Sequence, residues 1–187
     1  MASLSSVDLK SGSWYLLARN RCFLSTLEDE CVRQGVPYAR REGPGVREAD
    51  VQAIQLYEGW RAGATLTSTE QGIVRTALGG PLGDRAQSGL WHDAFHGIPP
   101  QRVAYYLTMR RSGEKLLSAP RVFIGSIHEV KGGEADNVLL LTDQTARTEA
   151  GAARNPDDEA RVFYVGATRA RNNLVVVSPQ TNRGYSL

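Results

Sequence analysis

Val138 to Leu141 is an unbroken apolar run preceded, from Arg121, by an alternating stretch, and this pairing constrains the 187-residue chain more than any other feature. Val122, Ile124, Ser126 and His128 share one face of the alternating strand by period two. The continuous run suits a strand buried on both faces of a parallel sheet. Between them lies a polar loop, Lys131-Gly132-Gly133-Glu134. In open α/β sheets ligands bind in loops beyond the carboxyl ends of parallel strands, and two glycines let backbone approach a ligand closely. Glu134, Lys131 and His128 are therefore candidate site residues.

A second informative stretch is Glu159 to Ala170, EARVFYVGATRA. Asn155 suits an N-cap, Pro156 the first helical position, and Asp157, Asp158 and Glu159 place negative charge at the positive end of the helix dipole. At 100° per residue, Ala160, Val162, Phe163, Gly166, Ala167 and Ala170 fall on one side, and Arg161, Tyr164 and Thr168 on the other. Arg169 lies on the seam, late on the helix. Held from behind and open in front, its guanidinium fork is suited to a phosphate on which charge develops. Taken alone, it better fits a surface arginine whose stem lies along apolar neighbours.

Together, IHEVKGGE (Ile127 to Glu134) and DDEARVFYVGATRA (Asp157 to Ala170) resemble motifs V and VI of the UvrD/Rep-type superfamily 1 DNA helicases, T-x-H-x-x-K-G-L-E and E-E-R-R-L-x-Y-V-x-x-T-R-A. Leu16 to Tyr38 is similar to the strand–helix–strand segment that opens the family's second motor domain. The resemblance implies a RecA-like α/β fold, a parallel sheet flanked by helices, acting as the C-terminal motor half of an ATP-dependent DNA helicase. Arg169 would be the arginine finger on the ATP γ-phosphate. Glu134 would contact the nucleotide ribose, with Gly132 and Lys131 shaping that loop. Ser126, where the family often has threonine, His128 and Arg19 would face single-stranded DNA. The chain departs from the pattern at Gly133, usually leucine, at Ala135, usually bulky and apolar, and at Ala160, one of the paired arginines. These departures bear on the packing of the motif V loop rather than on the residues that would touch ligand.

No G-x-x-x-x-G-K-[ST] occurs in the chain, and no acidic pair after an apolar strand resembles the family's Mg²⁺-holding motif. ATP with Mg²⁺ is therefore expected to be held mainly by an N-terminal RecA-like motor domain, in cis or in trans. The chain alone is expected not to hydrolyse ATP.

Length allows one α/β domain of ordinary size plus an insertion. The reading is residues 1–45 and 119–187 as the two parts of a motor domain, with 46–118 as a mostly helical insertion. Within it, Asp50 to Trp60 is helical in pattern. Ser68 with Gln71 fits a capping box for a helix through Leu78, and a further helix spans Pro100 to Arg111. REGPG, Arg41 to Gly45, is a loop signal. Arg102, Arg110, Arg111, Lys115 and Arg121 lie near Tyr105 and Tyr106, a mixture that can track phosphates and stack bases; tyrosines completing a core beside a solvated basic face fit better. WHDAFHG, Trp91 to Gly97, is loop-like, and His92 and His96 lack a third ligand, so no metal site is expected.

A net charge of +2 gives only a slightly basic surface, so contact with DNA, single-stranded or duplex, has to come from local clustering. Cys22 and Cys31 are too far apart on a helix to bridge and read as reduced core thiols. There is no apolar run long enough for a membrane, and Met1 to Gly12 lacks the plan of a signal peptide, so a cytoplasmic protein is expected. Two other readings compete with the helicase half: a stand-alone nucleic-acid- or partner-binding module with a relic helicase fold, and a chance likeness on another nucleotide-binding fold.

Overall fold

The computed structural model describes residues 3–82 and 89–186. The chain divides into two compact units, Met1–Gly45 with Ala119–Leu187, and Val46–Ser118.

In the first unit, among the described residues, six strands form one sheet: β1 (Trp14–Ala18), β2 (Tyr38–Arg40), β3 (Gly43–Pro44), β4 (Val122–Ser126), β5 (Ala135–Leu141) and β6 (Ala170–Val177). Their order is β3-β2-β4-β1-β5-β6. All pairings are parallel except β2 with β3. Helix α1 (Leu24–Gln34) follows β1, and α6 (Ala146–Arg154) and α7 (Pro156–Ala167) lie between β5 and β6. This is an α/β arrangement of a largely parallel sheet flanked by helices, consistent with a RecA-like fold. The tight REGPG turn lets β3 fold back on β2, so the expected loop contains a short strand.

The central strands are apolar on both faces because both are covered. Leu17, Val138 and Leu140 cluster with Ile127, Val130 and Phe163 under α7. Leu16, Ile124, Leu139 and Leu141, one residue out of phase, are also buried and point to the opposite face. Helix α1 packs on β1 and β4 through the Leu24, Leu27 and Cys31 stripe, and ends at Gly35, whose φ of 66° is the left-handed C-cap conformation glycine tolerates. Burial, then the neighbouring Glu30 and Glu28 charges, push the Cys31 thiol upward, which makes it inert. Cys22 is exposed on a 3-10 turn ahead of α1, so only Cys31 is a core thiol.

The second unit contains α2 (Glu48–Arg61), α3 (Ser68–Leu78), α4 (Trp91–Ala94) and α5 (Pro100–Arg111). The capping box sits one residue earlier than expected: Thr67 and Glu70 bond reciprocally, because the Thr67 backbone is extended while Ser68 is already helical. WHDAFHG is not all loop, since Trp91–Ala94 makes a single helical turn anchored by the buried Trp91. Tyr105 and Tyr106 are buried. The Tyr106 hydroxyl donates to Asp50 at 2.8 Å, and Arg102 donates to the same carboxylate at 2.8 Å. The tyrosines thus complete a core, and Arg102 is already paired. Among the described residues no group of His, Cys, Asp and Glu could hold a metal, and no helix is long and apolar enough to cross a membrane.

Candidate functional site

The expected site residues separate into two groups at opposite edges of the parallel sheet. Arg19 follows the carboxyl end of β1, and His128 follows that of β4. His128 is not on the strand face: β4 ends at Ser126, and Ile127–Val130 form a 3-10 turn that buries Ile127 and Val130 and exposes His128. Ser126 is buried, and its N–H donates to the Glu129 carboxylate at 2.7 Å, which starts the turn. Arg19 forks onto Glu159, with Nε to Oε1 at 2.8 Å and Nη2 to Oε2 at 3.2 Å. Its Nη1 lies 3.2 Å from His128 Nε2. The neighbouring Asn20 is held through Thr145 and Thr148 at the start of α6.

From this edge the chain returns to the other. Strand β1 lies between β4 and β5, so the eight residues from Ile127 to Glu134 must cross it and descend to the amino end of β5. Lys131, Gly132 and Glu134 therefore gather at the amino edge, not beside His128 as the simple carboxyl-end rule suggests. That rule assumes a helical crossover, and here the connection is a 3-10 turn and a loop. Lys131 and Glu134 are exposed, Gly132 has φ 86°, and Glu134 accepts from Arg171 Nε at 3.1 Å. Hydrogen bonds from the Ser13 N–H and then its hydroxyl hold the nearby Asp136 carboxyl below its ordinary value and tie the loop's end to β1.

Helix α7 spans the same distance in one run. Its buried stripe is Glu159, Phe163 and Gly166, with Val162 half-buried; Ala160 is exposed. Glu159 is thus not simply a dipole-complementing surface charge. Asn155 stands at the N-cap position but makes no side-chain capping bond; its amide donates to the Asp158 carboxylate instead of its oxygen accepting from the backbone. A Cβ at Gly166 would lie 3.2 Å from Leu140 Cδ1, so glycine lets the helix sit close on the sheet. The helix ends at Ala167, which places Arg169 in the turn before β6 rather than on the helix. There its Nε donates to Val165 O at 2.9 Å, Nη1 to Gly133 O at 3.3 Å and Nη2 to Thr168 Oγ1 at 3.1 Å. The Ala135 N–H returns a bond to Arg169 O at 3.0 Å, so the arginine and the glycine loop are laced together.

Gly133, where the helicase pattern has leucine, has a local cause. A Cβ there would lie 2.5 Å from the Tyr15 hydroxyl, and Tyr15 is held edge-on against Phe123 with centroids 5.9 Å apart. These rings, with Glu129, Val130, Lys131 and Gly133, line a cavity of about 360 Å³. Gly133→Leu is expected to destabilise the chain by about 1–3 kcal/mol, the usual cost of overpacking. Adding Tyr15→Ala should recover part of that loss in a urea-denaturation double-mutant cycle; strict additivity would show that Tyr15 does not dictate the glycine.

The family model of the UvrD-like helicase C-terminal domain matches residues 103–181, the stretch that contains both the glycine loop and α7 with Arg169. Over those residues the chain is similar to the C-terminal domain of UvrD-like helicases, which supports its reading as a C-terminal part of such a helicase. No curated protein matches the chain. Two features of the site escape residue-by-residue pattern reading. Glu159 was legible only as an acidic residue near a helix start, and Gln144, buried and donating to Glu159 at 2.8 Å, has no sequence signal at all.

Proposed function

We propose that this UvrD-like domain is the C-terminal motor half of an ATP-dependent helicase that couples ATP hydrolysis to single-strand translocation and duplex unwinding. Arg169 is the arginine finger, and Glu134, Gly132 and Lys131 form the nucleotide edge. Arg19 and His128 form the edge that meets single-stranded DNA, and the buried Ser126 contributes by starting the turn that presents His128. ATP and Mg²⁺ are held mainly by the N-terminal RecA-like motor domain, and the chain alone does not turn ATP over.

What supports this reading is the sorting of residues by edge. The residues with nucleotide-type roles lie before β5 and β6, and those with DNA-type roles lie after β1 and β4. A motor needs these two surfaces to be distinct yet joined, and both α7 and the Ile127–Glu134 connection join them.

Fluorescence anisotropy with a labelled oligothymidylate tests the assignment. His128→Ala should weaken binding about tenfold, the scale of one hydrogen bond involving a charged group. Glu134→Ala should leave binding within about twofold, since its carboxylate lies at the other edge and is paired with an exposed arginine. Equal losses in both variants would mean that the two edges do not carry separate functions.

A further inference from the structure

Glu159 is a buried carboxylate at the start of α7, 6% exposed, and its bonds to Arg19 and Gln144 point away from the nucleotide edge. Oε1 accepts from Arg19 Nε and from Gln144 Nε2, each at 2.8 Å, and Oε2 accepts from Arg19 Nη2 at 3.2 Å. A bidentate fork of this kind fixes the plane of the guanidinium as well as its position. With the guanidinium plane fixed, the position of Nη1 is fixed too, and that nitrogen lies 3.2 Å from His128 Nε2.

Arginine has no acceptor, so Nη1 donates and His128 Nε2 accepts. A bond in that direction requires the neutral ring's proton to be on Nδ1. A histidine's second nitrogen sets its tautomer through the bond it makes, and here that bond is set by a carboxylate on another element.

We infer that Glu159 is a positioning residue: it orients Arg19 and, through it, holds His128 in the Nδ1–H form, so that the ring presents a defined donor to single-stranded DNA. The assignment of that ligand rests on the function proposed above; the orientation itself does not. Because Glu159 lies in the first turn of α7 and Arg169 in the turn just after its last residue, Ala167, the helix whose start positions the DNA edge is tied at its other end to the nucleotide edge.

The test uses the full chain, labelled with ¹⁵N and held at about pH 8, above the ordinary histidine range. Long-range ¹H–¹⁵N correlation spectra identify which ring nitrogen of His128 is protonated, with the signal assigned by its loss in His128→Gln. The wild-type chain should show the proton on Nδ1. Glu159→Gln keeps the side chain's shape but turns an amide NH₂ toward a donor-only guanidinium, so it should release Arg19 and move His128 toward the Nε2–H form that predominates in free side chains. Oligothymidylate affinity should fall about tenfold in the same variant, comparable with the loss of one charge-assisted hydrogen bond.

An Nε2–H ring in the wild-type chain, or a tautomer unchanged by Glu159→Gln, overturns the inference. A lowered DNA affinity with an unmoved tautomer also overturns it, since a general loosening of α7 would have that result. If no form of the chain binds the oligonucleotide but the tautomer moves as expected, the positioning role is supported and the single-strand reading of the edge falls.

Discussion

Arg169→Ala, introduced into this domain joined to a P-loop-bearing N-terminal motor domain, is expected to lower DNA-stimulated ATP turnover by about 10³-fold or more while nucleotide binding persists. The size follows from what an arginine finger does: it meets charge that develops only in the transition state, so its loss appears in turnover rather than in ground-state affinity. In the structure three of the guanidinium's five N–H groups are used, on Val165 O, Gly133 O and Thr168 Oγ1. One N–H on each Nη remains for a phosphate. The arginine is therefore braced by the loop that contains Glu134, and a neighbouring nucleotide would meet both together. Arg169→Lys should not restore turnover, because a single ammonium cannot keep the bracing bonds and also offer a fork. Steady-state hydrolysis alongside a nucleotide-binding titration checks this, and undiminished turnover in Arg169→Ala would remove the residue from the mechanism.

Phe163→Ala is expected to cost about 3–5 kcal/mol of stability, the range for emptying a large aromatic site in a core. Phe163 is fully buried beneath α7 among Leu17, Ile127, Val130, Val138 and Leu140. Its other face stacks on Tyr185, with centroids 4.2 Å apart and planes 5° from parallel. Ile127 and Val130 belong to the turn between the two edges, so the cavity would open where α7, that turn and the sheet meet. Urea denaturation followed by circular dichroism measures the loss. Phe163→Leu, which refills most of the volume, should recover more than half of it. A cost below about 1 kcal/mol for the alanine variant would show that α7 is not seated on this residue.

Much of the fold was legible because local rules and the final structure agree. Helix Pro100–Arg111 has the bounds its pattern suggests, with proline at its first position. Gly35 ends α1 because the turn needs a positive φ, and the apolar run 138–141 is buried because it is a central strand. Local rules also misplace residues whose partners are distant. Glu159 looks like a dipole-complementing surface acid, yet Arg19, 140 positions earlier, draws it into a buried pair. His128 continues the period of β4 in sequence, but Ile127 and Val130 gain more by joining the core, and the resulting 3-10 turn rotates the histidine out.

By itself, the sequence determined α1, α2, α3, α5 and α7, the central strands of the parallel sheet and the motif segments, because periodicity, capping and glycine placement act over a few residues. Only the tertiary structure decided which edge each functional residue occupies. That depends on strand order: with β1 inserted between β4 and β5, an eight-residue connection must cross the sheet and carry one motif to both edges. It likewise decided that Gly133 yields to the Tyr15 hydroxyl and that Glu159 serves Arg19, since steric exclusion and charge pairing act between side chains that only folding brings into contact.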